Sequence, residues 1–420
     1  MKLMKPLLIA ILLFATRVLA AEPTATAATA INALGIDLLQ KAGKPGANAL
    51  LSPFSIQSAL AMTYAGAEGD TRAEMAKVLH YPGDDAEVHR SFAALRKSLD
   101  DVMQRSVQDA EQLQKQGGKM NPITLSVANR LFGQSGYAFR KPFLTLVQDS
   151  YGAPFEPLDF IRNPSGATKH INNWVEAQTQ QRIRDLIPDG ALNDATRLVL
   201  VNAIYLKAPW AAEFSVSATK PQTFHLAANN LISLPMMSAK RSLGYARRDG
   251  CTVLTIPYRG GELQLLILLP DKVDGLADLE KKLAERLLSE CAKLGRQEVI
   301  LYLPKFKIEP PAMSLGGELQ TLGMTTAFDQ PRGSANFDRI APRSDNDYLS
   351  ISEVIHKTFL NLDEKGTEAA AATAVLMFTN SAVRVQPKPI EVRVDHPFLF
   401  AIQHCASGAC LFLGHVSDPR

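Results

Sequence analysis

The chain has 420 residues, 46% of them hydrophobic, with 45 Lys and Arg against 42 Asp and Glu. Setting aside Lys2, Lys5 and Arg17 in the N-terminal leader leaves basic and acidic residues in balance, which excludes a dedicated nucleic-acid or acidic-membrane binder. The roughly 400 remaining residues are enough for one large core or for two or three ordinary ones.

Residues 1–20 have the anatomy of a secretory signal peptide: Lys2 and Lys5 first, an apolar Pro6 to Ala15 too short to span a bilayer, then the small-residue site Val18-Leu19-Ala20. Cleavage after Ala21 fits equally, Arg17 is out of keeping, and an uncleaved anchor is the alternative. The expectation is a secreted or periplasmic protein, residues 21–420, with no stable membrane association.

Ile31, Leu34 and Leu38 lie at helical spacing. Ser52-Pro53 reads as an N-cap with a first-turn proline, Ile56, Leu60 and Tyr64 continue one face, and Gly66 ends it. Thr71 and Glu74 suggest a capping box before Met75 and Leu79. Val88, Phe92, Leu95, Leu99 and Val102 predict a further helix, with the polar run Gln104 to Met120 as its frayed end or a loop. Strand character begins at Ile123, a helix surrounds Ile171, Trp174 and Val175, and Leu198 to Leu206 is apolar enough for a strand covered on both faces. Asn202 within it requires hydrogen-bond partners.

Strands dominate from Ile232. Cys251 to Ile256 and Leu263 to Leu269 flank a hairpin turn at Tyr258-Arg259-Gly260-Gly261. Leu276, Leu279, Leu283 and Leu287 predict one helix, Val299 to Ile308 one strand, Leu319 a short helix, and Phe328 to Asp347 a loop. Ile351 to Asp363 is strand-like, as are Ile390 to Val394, Phe398 to His404 and Cys410 to Val416. Helices concentrate early and strands late, which predicts an α+β fold; no linker or repeat divides it, so one domain is expected.

Between two strand-like runs, Glu364 to Thr373 reads Glu-Lys-Gly-Thr-Glu-Ala-Ala-Ala-Ala-Thr. Alanine favours a short surface helix, yet the alternation Thr367, Ala369, Ala371, Thr373, Val375 also suits the inner face of a strand. Cys405 and Cys410 bracket a four-residue turn, so they are either a disulfide across a hairpin or two thiols; Cys251 and Cys291 read as buried thiols. Catalytic signatures are missing. Gly133-Gln134-Ser135-Gly136-Tyr137 fails as a nucleophile elbow. The eight histidines (His80, His89, His170, His225, His356, His396, His404, His415) show no metal-ligand spacing, and Gly117-Gly118-Lys119 is no phosphate loop.

Five groups of segments, which run in the family's order, resemble the serpin signatures. They are Asn48 to Ile56 with Ala59 to Met62 and Gly66 to Gly69; Leu200 to Trp210; Leu303-Pro-Lys-Phe306; His396 to Phe400 with Leu411 to Val416; and Asp363 to Thr373. The resemblance implies a serpin fold of three β-sheets with about nine α-helices. It implies that Leu198 to Leu206 and Ile351 to Asp363 are neighbouring strands, closed against each other, and that residues of about 364–388 form an exposed reactive-centre loop. The hinge would comprise Glu364, Gly366, Thr367, Glu368, Ala369, Ala370, Ala371, Ala372 and Thr373, with Glu368 on the exposed face. Ser52, Ser55, Asn202 and His356 match the family's shutter, and Trp210, Lys305 and Glu364 its breach. The family's spacing places the reactive bond at Asn380-Ser381; Met377, Phe378 and Thr379, or Arg384, are the other cleavage positions.

The implied activity is suicide inhibition of serine, or also cysteine, endopeptidases by a monomer without cofactor, metal or catalysis of its own. Elastase-like or chymotrypsin-like partners suit the loop best, with trypsin-like or papain-like enzymes as alternatives. A loop that is only a substrate is the competing reading. The chain departs from the family's usual residues at Leu206, commonly Phe, and His415, often Arg.

Overall fold

A computed structural model describes residues 22–43, 46–248, 250–344, 347–368 and 388–420. Nine α-helices and three β-sheets occur among these residues, the helices mostly before residue 180 and the strands mostly after it. The α+β expectation holds because the early apolar residues recur at helical spacing and the late ones do not.

The helix Pro53–Gly66 runs through the middle of the molecule. Ser52 caps it by accepting from the Ser55 N–H (3.2 Å), Pro53 fills its first turn, and nearly all of its side chains are buried. A helix with so little polar face is stable only when surrounded. Here it packs beneath Leu198–Pro209, the central strand of a six-stranded sheet.

That sheet runs Phe306–Ile308, Leu360–Asp363, Gly366–Thr367, Leu198–Pro209, Thr124–Gln134, Phe155–Leu158. Ile204, Leu206 and Ala208 point into the main core. Val201 and Ala203, on the other face, join Phe132, Phe160, Ile171, Val175, Ile183, Leu186 and Ile187 in a second cluster built from helix Pro164–Gln178 and the segment after it. Both faces are therefore covered, as the apolar run requires. The nine-stranded sheet contains the most buried strands of the chain, Leu263–Pro270, Phe398–His404 and Cys410–Val416. Its long strand Asn230–Arg248 pairs with Arg296–Pro304 from Met236 to Gly244, and with Cys251–Pro257 from Gly244 onward.

Several local expectations change in the folded chain. The polar run after Gln104 stays helical, in one helix Asp85–Lys115. The helix predicted from Leu276 to Leu287 breaks at Leu283 into Leu276–Lys282 and Glu285–Cys291. Thr71 and Glu74 make no capping box: Thr71 accepts from Asn336 N–H, and Glu74 accepts from the N–H groups of Thr325 and Thr326. Val299 to Ile308 is split at Lys305, since Arg296–Pro304 and Phe306–Ile308 belong to different sheets.

The largest difference concerns Ile351 to Asp363. Only Ile355–His356 and Leu360–Asp363 are strands, and neither pairs with Leu198–Pro209. The two runs expected to be closed against each other stand apart. At one end Gly366–Thr367 lies between them; below, a groove of about 380 Å³ separates Leu198–Asn202 from Tyr348–His356. A strand between two others holds them two ladder spacings apart, roughly 9–10 Å, so they cannot pair directly beside it.

Candidate functional site

The site comprises that wedge, the groove below it and the polar chain beneath. After Leu360–Asp363 the backbone turns at Glu364-Lys365 and returns, pairing Thr367 with Leu362 and Ala208, and Gly366 with Asp363 and Pro209, antiparallel on both sides. Gly366 has φ +146, and a Cβ there would lie 2.1 Å from the Ala208 carbonyl oxygen. Any other residue would push the ladder apart, so the glycine is required by conformation and by space.

Aromatic residues support the turn. Trp210 is fully buried and stacks on Tyr258 with ring centroids 4.6 Å apart. Its indole N–H donates to the Asp363 carbonyl (2.9 Å), and its backbone N–H to that of Lys365 (2.9 Å). The Tyr258 hydroxyl lies 2.6 Å from Thr367 Oγ1, and Thr367 is 1% exposed. Burial pushes the Tyr258 pKa well up, so its phenol stays protonated. Glu364 is buried beside this stack, 2.9 Å from Lys305 Nζ, and also accepts from the Thr219 hydroxyl. Burial opposes its charge, but the Lys305 and Thr219 bonds outweigh burial and hold its pKa below the ordinary value.

Glu368 is not on an exposed face. Its carboxylate is 4% exposed, 2.9 Å from Arg182 Nε and bonded to the Tyr205 hydroxyl. The side chain can turn inward because Arg182, on the segment covering the sheet, supplies a counter-charge in place of the lost solvation.

Under the groove, polar side chains link into one chain. The Ser52 N–H donates to His356 Nε2 (3.1 Å) and the Ser52 hydroxyl to the Leu411 carbonyl (2.7 Å). The Ser55 hydroxyl donates to Asn202 Oδ1, Asn202 Nδ2 to Asn129 Oδ1, and Asn129 Nδ2 to the Tyr151 carbonyl (2.9 Å), while the Tyr151 hydroxyl meets His89 Nδ1 (2.7 Å). Ser55, Asn202 and His356 all line the groove. Burial lowers the pKa of His356 and of His89 to about 4, so both rings are neutral near pH 7.

Of the residues singled out by sequence, Ser52, Ser55, Asn202 and His356 come together, as do Trp210, Lys305, Glu364, Gly366 and Thr367. Sequence reasoning missed Asn129, Tyr151, Tyr258, Thr219, Arg182 and Tyr205. Only Asn129 carried a signal, as an amide inside a predicted strand. Cys405 and Cys410 are not a disulfide: both are thiols. A register shift after Ile402 sets Cys410 opposite Gln403, and Cys405 falls in the turn beyond. Residues 1–20, Ala369 to Thr373, Met377, Phe378, Thr379, Asn380, Ser381 and Arg384 lie outside the described residues. Among the described residues, no group of three or more His, Cys, Asp or Glu is placed to hold a metal ion, and no helix is long and apolar enough to cross a membrane.

The family model described as serpin (serine protease inhibitor) matches residues 29–419. The leukocyte elastase inhibitor of Bos taurus is 38% identical over 384 residues, covering 89% of this chain and 94% of that protein. An uncharacterised serpin-like protein of Thermococcus kodakarensis is 36% identical over 392 residues, covering 93% and 85%. The solved structure of cleaved Serpin 42Da superposes with a TM-score of 0.77 at 33% identity, covering 95% of this chain and 100% of that one.

Proposed function

The chain belongs to the serpin family and has its fold, and on that premise we propose that it is a suicide inhibitor that traps proteases by inserting its cleaved loop into the six-stranded sheet. The observation that carries this reading is the hinge itself: Gly366–Thr367 already forms a strand between two neighbours, with the groove continuing beneath it.

Extending the register Thr367↔Ala208 would set Ala369 opposite Leu206, Ala371 opposite Ile204, Thr373 opposite Asn202 and Met377 opposite Leu198. The core-facing positions of the incoming strand are then small or β-branched as far as Val375, so they enter without overpacking. Ten further residues, 368–377, would gain ladder bonds on both sides. At a net of about 1 kcal/mol per hydrogen bond this amounts to roughly 10 kcal/mol or more, comparable to the stability of a whole domain. The chain length also fits. Cleavage at Asn380-Ser381, or after Met377 or Phe378, leaves enough chain to fill the groove while the protease is still joined as acyl-enzyme, whereas cleavage at Arg384 leaves slack. The leukocyte elastase inhibitors among the relatives and the Met377-Phe378 pair favour elastase-like or chymotrypsin-like targets. The leader pattern of residues 1–20 supports action outside the cytoplasm.

The test is incubation with elastase, chymotrypsin, trypsin and papain. A complex that survives SDS with a serine protease supports trapping, and the mass of the released C-terminal peptide identifies the bond. Cleavage without complex in all four cases would make the loop a substrate only.

A further inference from the structure

Among the described residues, the strand between the two neighbours is Gly366–Thr367 and ends before Glu368. The ladder to Leu198–Pro209 ends at Thr367↔Ala208. At Glu368 the backbone φ becomes +50, a left-handed value unfavourable for a residue with a Cβ. Its N–H still donates to the Asn361 carbonyl (3.0 Å). One neighbouring strand has begun to accept Glu368 and the other has not.

The side chain accounts for the arrest. Residues directly opposite each other share a face of the sheet, so in the extended register Glu368 belongs opposite Lys207 and Ala370 opposite Tyr205. Successive positions on one face are about 6.8 Å apart, within reach of a glutamate side chain and one hydrogen bond. Because the Glu368 carboxylate reaches the Tyr205 hydroxyl, it is tied to the residue that Ala370 would have to face in the extended register. Arg182 holds it there at 2.9 Å. Arg182 belongs to the segment that follows helix Pro164–Gln178, where Gln180, Gln181 and Asp185 all have positive φ. Its guanidinium also lies over the ring of Phe359, 5.3 Å away. The segment thus reaches Phe359 on one side of the gap and, through Glu368, Tyr205 on the other.

We propose that Arg182, Glu368 and Tyr205 form a catch that arrests the loop at two inserted residues and sets the rate at which the rest of it enters. The catch rests on the insertion reading above and adds its control: it delays unprompted insertion, which would consume the inhibitor before it meets a protease. Arg182 and Tyr205 act through Glu368 and are positioning residues.

The experiment holds intact protein a few degrees below its own unfolding transition and measures the half-time of conversion to a form that resists urea, followed by the fluorescence of Trp174 and Trp210 together. Glu368→Ala and Arg182→Gln are each expected to shorten that half-time about tenfold, the worth of a charge-assisted bond discounted for the half-exposed Arg182. Tyr205→Phe should shorten it about threefold. The double variant should be no faster than the faster single one, because the three groups act as one unit. The loop-cleaved form has already passed the catch, so its melting temperature should be the same in all variants; a merely structural Arg182 would shift it. Wild-type protein nicked in the loop separates the two readings. If nicking does not raise its melting temperature, insertion fails and the catch with it. If it does, but the variants convert no faster than wild type, or more slowly, the catch alone is overturned.

Discussion

The substitution Thr367→Arg tests insertion most directly. Thr367 is 1% exposed, its hydroxyl 2.6 Å from that of Tyr258, and Tyr258 and Trp210 beside it are fully buried. The nearby carboxylate, Glu364, is already engaged by Lys305 and Thr219. An arginine here would overpack the site, at about 1–3 kcal/mol, and would bury an unpaired charge, at several kcal/mol more. An arginine would therefore keep this part of the hinge out of the sheet in the native form, and carrying it in during insertion at even about 4 kcal/mol would slow entry of the strand by roughly three orders of magnitude, at about 1.4 kcal/mol per factor of ten. Insertion competes with hydrolysis of the acyl-enzyme, so the expected product is cleaved monomer in place of complex. The assay is titration of a chymotrypsin-like or elastase-like protease, reading the stoichiometry of inhibition and the SDS-stable band, with Thr367→Ser as the control that keeps the hydroxyl. Unchanged stoichiometry in Thr367→Arg would refute insertion through this hinge.

On the proposed insertion, calorimetry before and after a single cut in the loop should show the cleaved form melting much higher, because the native form would then be held kinetically short of its most stable arrangement; equal melting counts against insertion. Acid should weaken the native state through its buried histidines. His89, His356 and His404 have pKa values lowered to about 4 against about 6.5 when unfolded. The unfolded chain therefore binds protons that the folded one does not, and stability falls as pH drops from about 6.5 to 4, by about 2 kcal/mol per histidine at pH 5. Urea midpoints at pH 7 and pH 5 measure this, and His356→Gln should remove one share of the difference. Lys305→Ala leaves the Glu364 carboxylate buried with only Thr219 as side-chain partner, and should lower stability at pH 7 by about 1–3 kcal/mol, the lower end reflecting a half-exposed lysine. A urea midpoint that does not move would show the pair to be incidental.

What could be read from the chain alone was whatever depends on near neighbours or on composition. Ser52 and Pro53 declare a helix start because a cap and a first-turn proline act within four residues. Leu198 to Leu206 declares a covered strand because nearly every position except Asn202 is apolar. The alternating small residues after Gly366 suit a strand that enters a packed sheet. The serpin signatures identified the family for the same reason, being short runs in a fixed order.

Tertiary structure decided which distant groups meet. Ser55 and Asn202 are 147 positions apart and Asn202 and Asn129 a further 73, so no local pattern could join them into one polar chain. Lys305 divides one apolar run between two sheets because the two halves find different partners. Cys405 and Cys410 flank a turn, yet the hairpin's register sets Cys410 opposite Gln403 and leaves Cys405 in the turn. Glu368 looked like a solvent-facing charge because its own surroundings are small and neutral; its burial depends on Arg182 and Tyr205, which only the folded sheet brings within reach. The hinge was legible as a strand in waiting. That Gly366 and Thr367 pair on both sides, with Glu368 beside Arg182, is a property of the folded sheet and the segment across it.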